Sequence, residues 1–181
     1  MKNIELMNKL VAIKNVPLTF EGRALPSKLQ AKIVLIKVAY EKAVAAFNEK
    51  MREVSGLMKP EGFDELEAKA KAHEEWKGEG EKPETPTQEE KDEAAAIREQ
   101  DLKAYEELKK DFVSRLNEAY AQELNEEAAV KEKTLTEDEL AEIIEVVGAD
   151  GDMDFTGNDG MKRRVKRCEF IDLIASAFVS E

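Results

Sequence analysis

The stretch PSKLQAKIVLIKVAYEKAVAAFNEKMREVSG, residues 26–56, decides the fold class of this chain. Its apolar side chains recur at steps of three and four residues, which is the spacing of one face of an α-helix. Pro26 is tolerated in the first turn of a helix, and Gly56 is typical of a helix stop. We therefore predict one long helix with a single apolar seam, the first seam, formed by Leu29, Ile33, Ile36, Tyr40, Val44, Phe47, Met51 and Val54.

The same spacing predicts a second long helix further along the chain. The sequence Thr87-Gln88-Glu89-Glu90 is a capping box, which opens a helix that we expect to end near residue 127. A seam of this length needs a partner helix to cover it, so we predict that the two long helices fold back as an antiparallel pair. The second seam comprises Leu102, Tyr105, Leu108, Phe112, Leu116, Tyr120 and Leu124.

Shorter helices are predicted at both ends. Residues 2–15 have amphipathic spacing, a second capping box at Thr136–Glu139 precedes a helix that stops at Gly148, and residues 168–178 are again helical, although their β-branched content leaves a strand open. The predicted fold class is all-α, a long antiparallel helical hairpin with short N- and C-terminal helices packed at one end. Its segments are the N-terminal helix and first long helix (1–56), a charged excursion or linker (57–87), the second long helix (88–130) and a C-terminal helical segment with an Asp-rich loop (131–181).

Composition argues against several classes of function. The 181 residues include one cysteine, Cys168, and one histidine, His73, which removes an intramolecular disulfide, most zinc sites and most Cys/His or Ser/His/Asp catalysis. The chain lacks a run of eighteen apolar residues, so we expect no membrane span, and residues 1–25 lack the layout of a signal peptide. We predict a cytosolic protein that is not an enzyme and has no resident cofactor, with Cys168 as a small core residue.

Charge is distributed unevenly around the formal net value of −12. Residues 1–60 carry 11 basic and 5 acidic side chains, whereas residues 61–145 carry 12 basic and 28 acidic ones. The acidic block argues against nonspecific binding of the whole molecule to DNA. We expect the positive N-terminal third to pair with this block or with an acidic partner.

The sharpest chemical motif is Asp150-Gly151-Asp152-Met153-Asp154, within a glycine- and aspartate-rich loop predicted over residues 149–160. Aspartates at Asp150, Asp152 and Asp154 match the first ligand positions of a calcium-binding EF-hand loop, but Phe155 replaces its glycine and Met161 its bidentate glutamate. Two interpretations stay open: an irregular calcium site formed by these three aspartates, or a solvated loop whose aspartates bond to their own backbone.

Two features are candidates for binding a partner. The basic run consists of Lys162, Arg163, Arg164, Lys166 and Arg167. It would bind phosphate groups of a nucleic acid, an acidic protein surface, or the acidic block of its own chain. Trp76 is an aromatic residue without an obvious local core, which either pins its segment to the body or anchors a partner.

Four motifs link the chain to a known group of proteins. They are an apolar N-terminal helix (Ile4 to Ile13), the helix entry Leu25-Pro26-Ser27-Lys28-Leu29-Gln30-Ala31-Lys32-Ile33, an aromatic-then-basic stretch (Phe47 to Arg52) and the helix start Leu135-Thr136-Glu137-Asp138-Glu139-Leu140. In these motifs the chain resembles an uncharacterised family of small helical proteins encoded among the structural and tail genes of tailed bacteriophages. It departs from the family in residues 57–96 and in the Asp-rich loop with its basic run. The resemblance implies a role in a virion or its assembly, and no catalytic residues.

The function expected from these observations is that of a non-enzymatic structural or assembly protein, a tail, neck or capsid-associated component of a phage particle. It would bind other structural proteins through helical surfaces, in the virion or the host cytoplasm, with nucleic acid not expected as a direct partner. One alternative is a calcium-binding EF-hand-like module. Another is an acidic inhibitor or adaptor that mimics nucleic acid.

Overall fold

Helices dominate the architecture. A computed structural model describes residues 1–75, 88–157 and 159–178. The helices of this part of the chain are α1 (Asn3–Lys14), α2 (Ser27–Met58), α3 (Phe63–Glu75), α4 (Gln88–Asn125), α5 (Glu137–Val147) and α6 (Arg167–Phe178). Two antiparallel hairpins pair β1 (Thr19–Phe20) with β2 (Arg23–Ala24) and β3 (Asp152–Thr156) with β4 (Lys162–Lys166). The predicted all-α class is confirmed, with α2 and α4 as the long helices of the hairpin; none of the helices described has the length and apolar character needed to cross a membrane.

The chain divides into two compact units. Unit 1 comprises Met1–Lys50 and Gln122–Glu181, and unit 2 comprises Met51–Ala121. Unit 1 therefore holds the short terminal helices and both hairpins, together with most of α2. Unit 2 holds α3 and most of α4.

The first seam is buried as predicted. In unit 1 its members Leu29, Ile33, Ile36 and Tyr40 are at most 3% exposed. The side chains packed around them come from the short elements: Leu6, Leu10 and Ile13 of α1, Ile143 and Val147 of α5, Met153 of β3, and Phe170, Ile174 and Phe178 of α6. The terminal helices thus provide the cover that the sequence assigned to the second long helix.

Tyr40 lies at the centre of this core and is fully buried. Its ring stacks on Phe178 with centroids 6.3 Å apart, and its hydroxyl oxygen accepts a hydrogen bond of 2.9 Å from the backbone N–H of Lys133. Burial raises the pKa of the phenol, although the bond to Lys133 acts in the opposite direction. The side chain therefore ties α2 to α6 and to the segment that leads into α5.

The expected pairing of the positive N-terminal third with acidic residues occurs within unit 1. Three lysines form ion pairs with glutamates more than seventy residues away: Lys9 with Glu132 (2.6 Å), Lys32 with Glu139 (2.5 Å) and Lys50 with Glu123 (2.6 Å). Lys9 also donates to the carbonyl of Ala177, in the last turn of α6, and its ammonium lies 5.3 Å from the centre of the Phe178 ring. These pairs connect α1 and α2 to the C-terminal half of the chain.

The capping box at the start of α5 is confirmed. The Oγ1 atom of Thr136 accepts from the N–H of Glu139 at 3.2 Å, and the Glu139 carboxylate accepts from the N–H of Thr136 at 2.8 Å. Gly148 ends the helix with a φ of 73°, a conformation that favours glycine. Burial acts to raise the pKa of Glu139, but hydrogen bonds from Lys32 and Thr136 outweigh it and hold the pKa below its ordinary value.

This lowered pKa gives a pH-dependent prediction. Replacing Glu139 with glutamine is expected to cost about 1 kcal/mol of unfolding free energy at pH 7, because the cap and the pair with Lys32 both need the carboxylate. A carboxyl group whose pKa is lowered on folding stabilises the protein above its unfolded pKa and loses this effect as the pH falls through the folded pKa. The difference between Glu139→Gln and wild type in urea unfolding should therefore shrink below about pH 4.5. Glu137→Gln, an exposed change in the same turn, is the control, and equal losses for both variants at pH 7 would contradict the prediction.

Unit 2 is built around an aromatic cluster. Phe63, at the start of α3, lies with its ring centroid 5.7 Å from that of Tyr105 and 5.3 Å from that of Phe112, both on α4. The guanidinium of Arg115 donates to the carbonyl of Met58 at 2.9 Å, at the point where α2 ends. The helix α2 continues past the stop predicted at Gly56 and ends at Met58, whose carbonyl accepts this bond from α4.

The charged excursion also needs correction. Its residues 63–75 form the regular helix α3, stabilised on the inner side by Phe63 and by Ala70, which is 2% exposed. Sequence spacing indicated only weak helical content there, because the packing of Phe63 against α4 is a long-range contact. The rest of the predicted excursion from Trp76 to Thr87, the capping threonine, lies outside the described residues.

Candidate functional site

The Asp-rich motif and the basic run are the two strands of one hairpin. In the antiparallel register of β3 and β4, Asp152 is opposite Lys166, Asp154 is opposite Arg164, and Thr156 is opposite Lys162. All six side chains are exposed on the outer face of the hairpin. Two candidate sites that the sequence placed twelve residues apart are therefore a single charged surface, in which acids of one strand oppose cations of the other.

The loop predicted over residues 149–160 is wrong for residues 152–156. The side chains of Met153 and Phe155 alternate with the aspartates along β3, and Met153 is 5% exposed against the core of unit 1. Residues on one face of a strand recur every second position, so the alternation of polar and apolar side chains fits a half-buried strand. The decisive contribution is the pairing with β4, together with two hydrogen bonds from the Asn15 side chain, which donates to the carbonyl of Thr156 (3.0 Å) and accepts from its N–H (2.7 Å).

The three candidate calcium ligands do not share one loop. Asp150 lies in the turn before β3, whereas Asp152 and Asp154 lie on the strand. The carboxylate of Asp154 accepts a hydrogen bond of 3.2 Å from Arg164, and each of the two side chains is about 70% exposed. Within residues 1–75, 88–157 and 159–178, no group of three or more His, Cys, Asp or Glu side chains is arranged to hold a metal ion.

The turn of the hairpin is held by Asp159. Its carboxylate accepts from the N–H of Met161 at 3.0 Å and forms an ion pair with Arg163. The backbone bond to Met161 is the leading reason that the pKa of Asp159 is lowered; desolvation acts in the opposite direction, and the hydrogen bond and charge of Arg163 add to the lowering. A Cβ added at Gly157 would lie 2.6 Å from the Arg163 guanidinium, so a side chain there would displace Arg163 from the turn. Arg163 therefore stabilises the turn of its own hairpin through the ion pair with Asp159.

Arg167, the last cation of the basic run, is a structural residue. Its side chain is 15% exposed and donates to the carbonyls of Val147 (3.1 Å) and Asp152 (3.3 Å). It also forms an ion pair with Glu21, and its guanidinium lies 4.5 Å from the centre of the Phe20 ring. These contacts join the end of α5, the start of β3 and the β1–β2 hairpin, so Arg167 is not part of an exposed partner-binding surface.

The remaining cations of the run are exposed. Arg164 is paired with Asp154 across the strands, while Lys162 and Lys166 form no ion pair with the other described residues. Trp76, the second partner-binding candidate, lies outside the part of the chain that the structure describes. Lys162, Arg164 and Lys166 therefore stay exposed candidates for partner binding, whereas Arg163 and Arg167, which the sequence assigned to the same role, form contacts within the chain.

Cys168 is exposed, which corrects the prediction of a core cysteine. The buried face of α6 is formed by Phe170, Ile174 and Phe178, which follow one another at steps of four residues. Cys168 precedes Phe170 by two positions and so lies about 200° away around the helix.

A groove of about 410 Å³ lies between α1 and α6. Val11, Phe155 and Leu173 supply its apolar wall, and Lys9 is among its polar groups. The ammonium of Lys9 is already bound to Glu132 and to the carbonyl of Ala177. The lysine of this groove is thus used to hold unit 1 together.

The second seam, on α4, is less covered than the first. Phe112 is 9% exposed, but Leu102, Leu108 and Leu116 are only half-buried. An overlapping row, which we call the α4 row, combines the seam residues Leu116 and Tyr120 (40% exposed) with Val113 (41% exposed), at steps of three and four. The sequence predicted Leu116 and Tyr120 as part of the seam, whereas Val113 was missed because it lies off that spacing.

Comparison with known proteins adds no relative: no protein-family model, curated protein or solved structure matches this chain.

Proposed function

We propose that the protein is a non-enzymatic structural or assembly protein that binds another protein through the α4 row. The observation that carries this proposal is the contrast between the two seams. Leu29, Ile33 and Ile36 of the first seam are at most 3% exposed in the core of unit 1. On α4, by contrast, the second-seam residue Tyr120 is 40% exposed and Val113 beside it is 41% exposed. Large apolar side chains exposed at helical spacing are typical of surfaces that receive a partner helix.

The chemistry of the described surfaces supports a binding role over a catalytic one. The groove between α1 and α6 uses its lysine for internal contacts, and in the charged hairpin Asp154 forms an ion pair with Arg164 of the opposite strand. Arg163 and Arg167 are likewise engaged within the chain. A phage particle, as a tail, neck or capsid-associated component, is the assembly that we propose, on the resemblance of residues 1–52 and 135–140. The virion and the host cytoplasm are the corresponding locations.

The test is a comparison of two variants that add the same charge to one turn of α4. Val113→Glu places a carboxylate in the α4 row, and Ser114→Glu places one on an exposed position about 100° away around the helix. Immobilised wild-type protein and both variants are incubated with an extract of cells that express the gene, and the retained proteins are quantified by mass spectrometry.

We expect wild type and Ser114→Glu to retain the same structural proteins, and Val113→Glu to retain them at least about 10-fold less, since a buried unpaired charge opposes docking. Equal retention by all three proteins would contradict the proposed binding surface. Retention of enzymes or nucleic acid in place of structural proteins would contradict the proposed function.

A further inference from the structure

The helix α2 carries a second row of side chains on the side away from the core. This outer row consists of Lys28, Ala31, Leu35, Val38, Lys42, Ala45 and Glu49, which follow one another at steps of 3, 4, 3, 4, 3 and 4. Every member is exposed, and all of them belong to unit 1. Leu35 is 70% exposed and Val38 is 41% exposed, with Val34 beside them at 43%.

Alternating steps of three and four are the repeat of a coiled-coil interface. Two helices that each present such a row pack their side chains into one another along the whole row. The first seam has the same repeat, but its residues Leu29 to Tyr40 are buried in the core of unit 1. The outer row is a second row of seven positions with this repeat, and its side chains stay exposed after the described residues have packed.

The charges of the outer row identify the helix that fits it. Its cations lie at the start and in the middle, at Lys28 and Lys42, and its anion lies at the end, at Glu49. A second copy in parallel orientation would place each charged residue beside an identical one, which is unfavourable. An antiparallel second copy brings Lys28 of one helix close to Glu49 of the other, at both ends of the interface.

Side-chain size supports the same orientation. With the two-fold axis between positions 36 and 37, Leu35 of each copy faces Val38 of the other, and Ala31 faces the aliphatic stem of Lys42. Lys28 then faces Ala45, and Glu49 lies one helical turn further, about 6 Å along the axis, within reach of the Lys28 ammonium. Large residues form the two central layers, and each lysine meets an alanine.

We propose that the protein associates with a second copy of itself through the outer row of α2, with the two helices antiparallel. This interface is separate from the α4 row, which lies in unit 2. Lysines at interface positions limit the stability of the pair and specify its orientation. The protein is therefore a reversible dimer whose formation depends on Leu35 and on the Lys28–Glu49 pairs.

The first experiment is analytical ultracentrifugation of the full chain over about 1 to 500 µM. Wild type is expected to show a monomer–dimer equilibrium within this range, and Leu35→Glu is expected to weaken it at least about 100-fold, since it places two like charges at the centre of the interface. The matched control is Leu57→Glu, the same change at a residue of α2 that is 88% exposed and outside the outer row. Far-UV circular dichroism verifies that all variants keep the wild-type helix content.

A charge exchange tests the orientation. Lys28→Glu and Glu49→Lys are each expected to weaken the dimer about 10-fold, because both symmetry-related pairs become repulsive. The double variant Lys28→Glu/Glu49→Lys restores both pairs and should return to within about 3-fold of wild type. If the double variant dimerised more weakly than either single variant, the antiparallel orientation would be overturned.

A monomeric wild type throughout the concentration range, or the same dissociation constant for Leu35→Glu and Leu57→Glu, would overturn the proposed dimer. Neither result bears on the α4 row, because the capture experiment compares Val113→Glu with Ser114→Glu. A failure of the dimer and a failure of the proposed function are therefore separate outcomes.

Discussion

Replacing Tyr40 with alanine is expected to lower the unfolding free energy by about 3–5 kcal/mol, the largest loss that we predict for a single change. The ring is fully buried and stacks on Phe178, so its removal leaves a cavity where α2 meets α6. The N–H of Lys133 loses its hydrogen bond at the same time. Because a domain of this size is stabilised by only about 5–15 kcal/mol, the variant should be partly unfolded near physiological temperature.

Two controls separate the contributions to this loss. Tyr40→Phe keeps the ring and removes the hydroxyl, so it should cost about 1–2 kcal/mol from the unsatisfied backbone group alone. Tyr120→Ala removes a tyrosine that is 40% exposed and should cost less than about 1 kcal/mol. Urea unfolding followed by far-UV circular dichroism measures all three. A loss for Tyr40→Ala no larger than that for Tyr120→Ala would show that α6 does not pack on α2 as described.

Replacing Arg167 with alanine is expected to cost about 2–4 kcal/mol. The guanidinium is the common partner of the Val147 and Asp152 carbonyls and of the Glu21 carboxylate, and it covers the ring of Phe20. Its removal leaves a carbonyl at the end of α5 without its charged donor, and hydrogen bonds to charged groups are among the stronger ones. We expect a lower urea midpoint and faster amide hydrogen exchange in β3.

The same run of basic residues supplies the matched control. Lys162→Ala removes an exposed cation from β4 and should change the unfolding free energy by less than about 0.5 kcal/mol. Arg167→Lys keeps the charge but lacks the planar fork that reaches several acceptors, so its loss should be intermediate. If Arg167→Ala and Lys162→Ala were equally stable, the run would be a uniform solvated surface, and the structural role of Arg167 would be refuted.

The outcome for the basic run shows how far a local motif can be interpreted. Five cations in six positions are equivalent in sequence, but strand alternation places Lys162, Arg164 and Lys166 on one face. Arg163 forms an ion pair with Asp159 in the turn. Arg167 is the first residue of α6 and contacts the end of α5, the start of β3 and the β1–β2 hairpin. The assignment of Arg167 depends on residues far from the run, since the groups that contact it come from positions 20–21, 147 and 152.

The helices themselves were predictable because helical periodicity and caps are local. The first seam, the capping box at Thr136 and the glycine stop at Gly148 all depend on residues within a few turns of one another. The end of α2 at Met58 and the regularity of α3 were missed, since each depends on a side chain of α4 or on a contact with it.

By itself, the sequence determined that this protein is helical and where most of its helices begin and end. Tertiary structure alone decided which helices seal the first seam, that the aspartates and cations of residues 152–166 pair as strands, and which apolar rows stay exposed. The physical reason is the separation along the chain of the groups that interact. Helix formation is governed by neighbours three and four residues apart, whereas strand pairing and burial depend on groups that only the folded chain brings together.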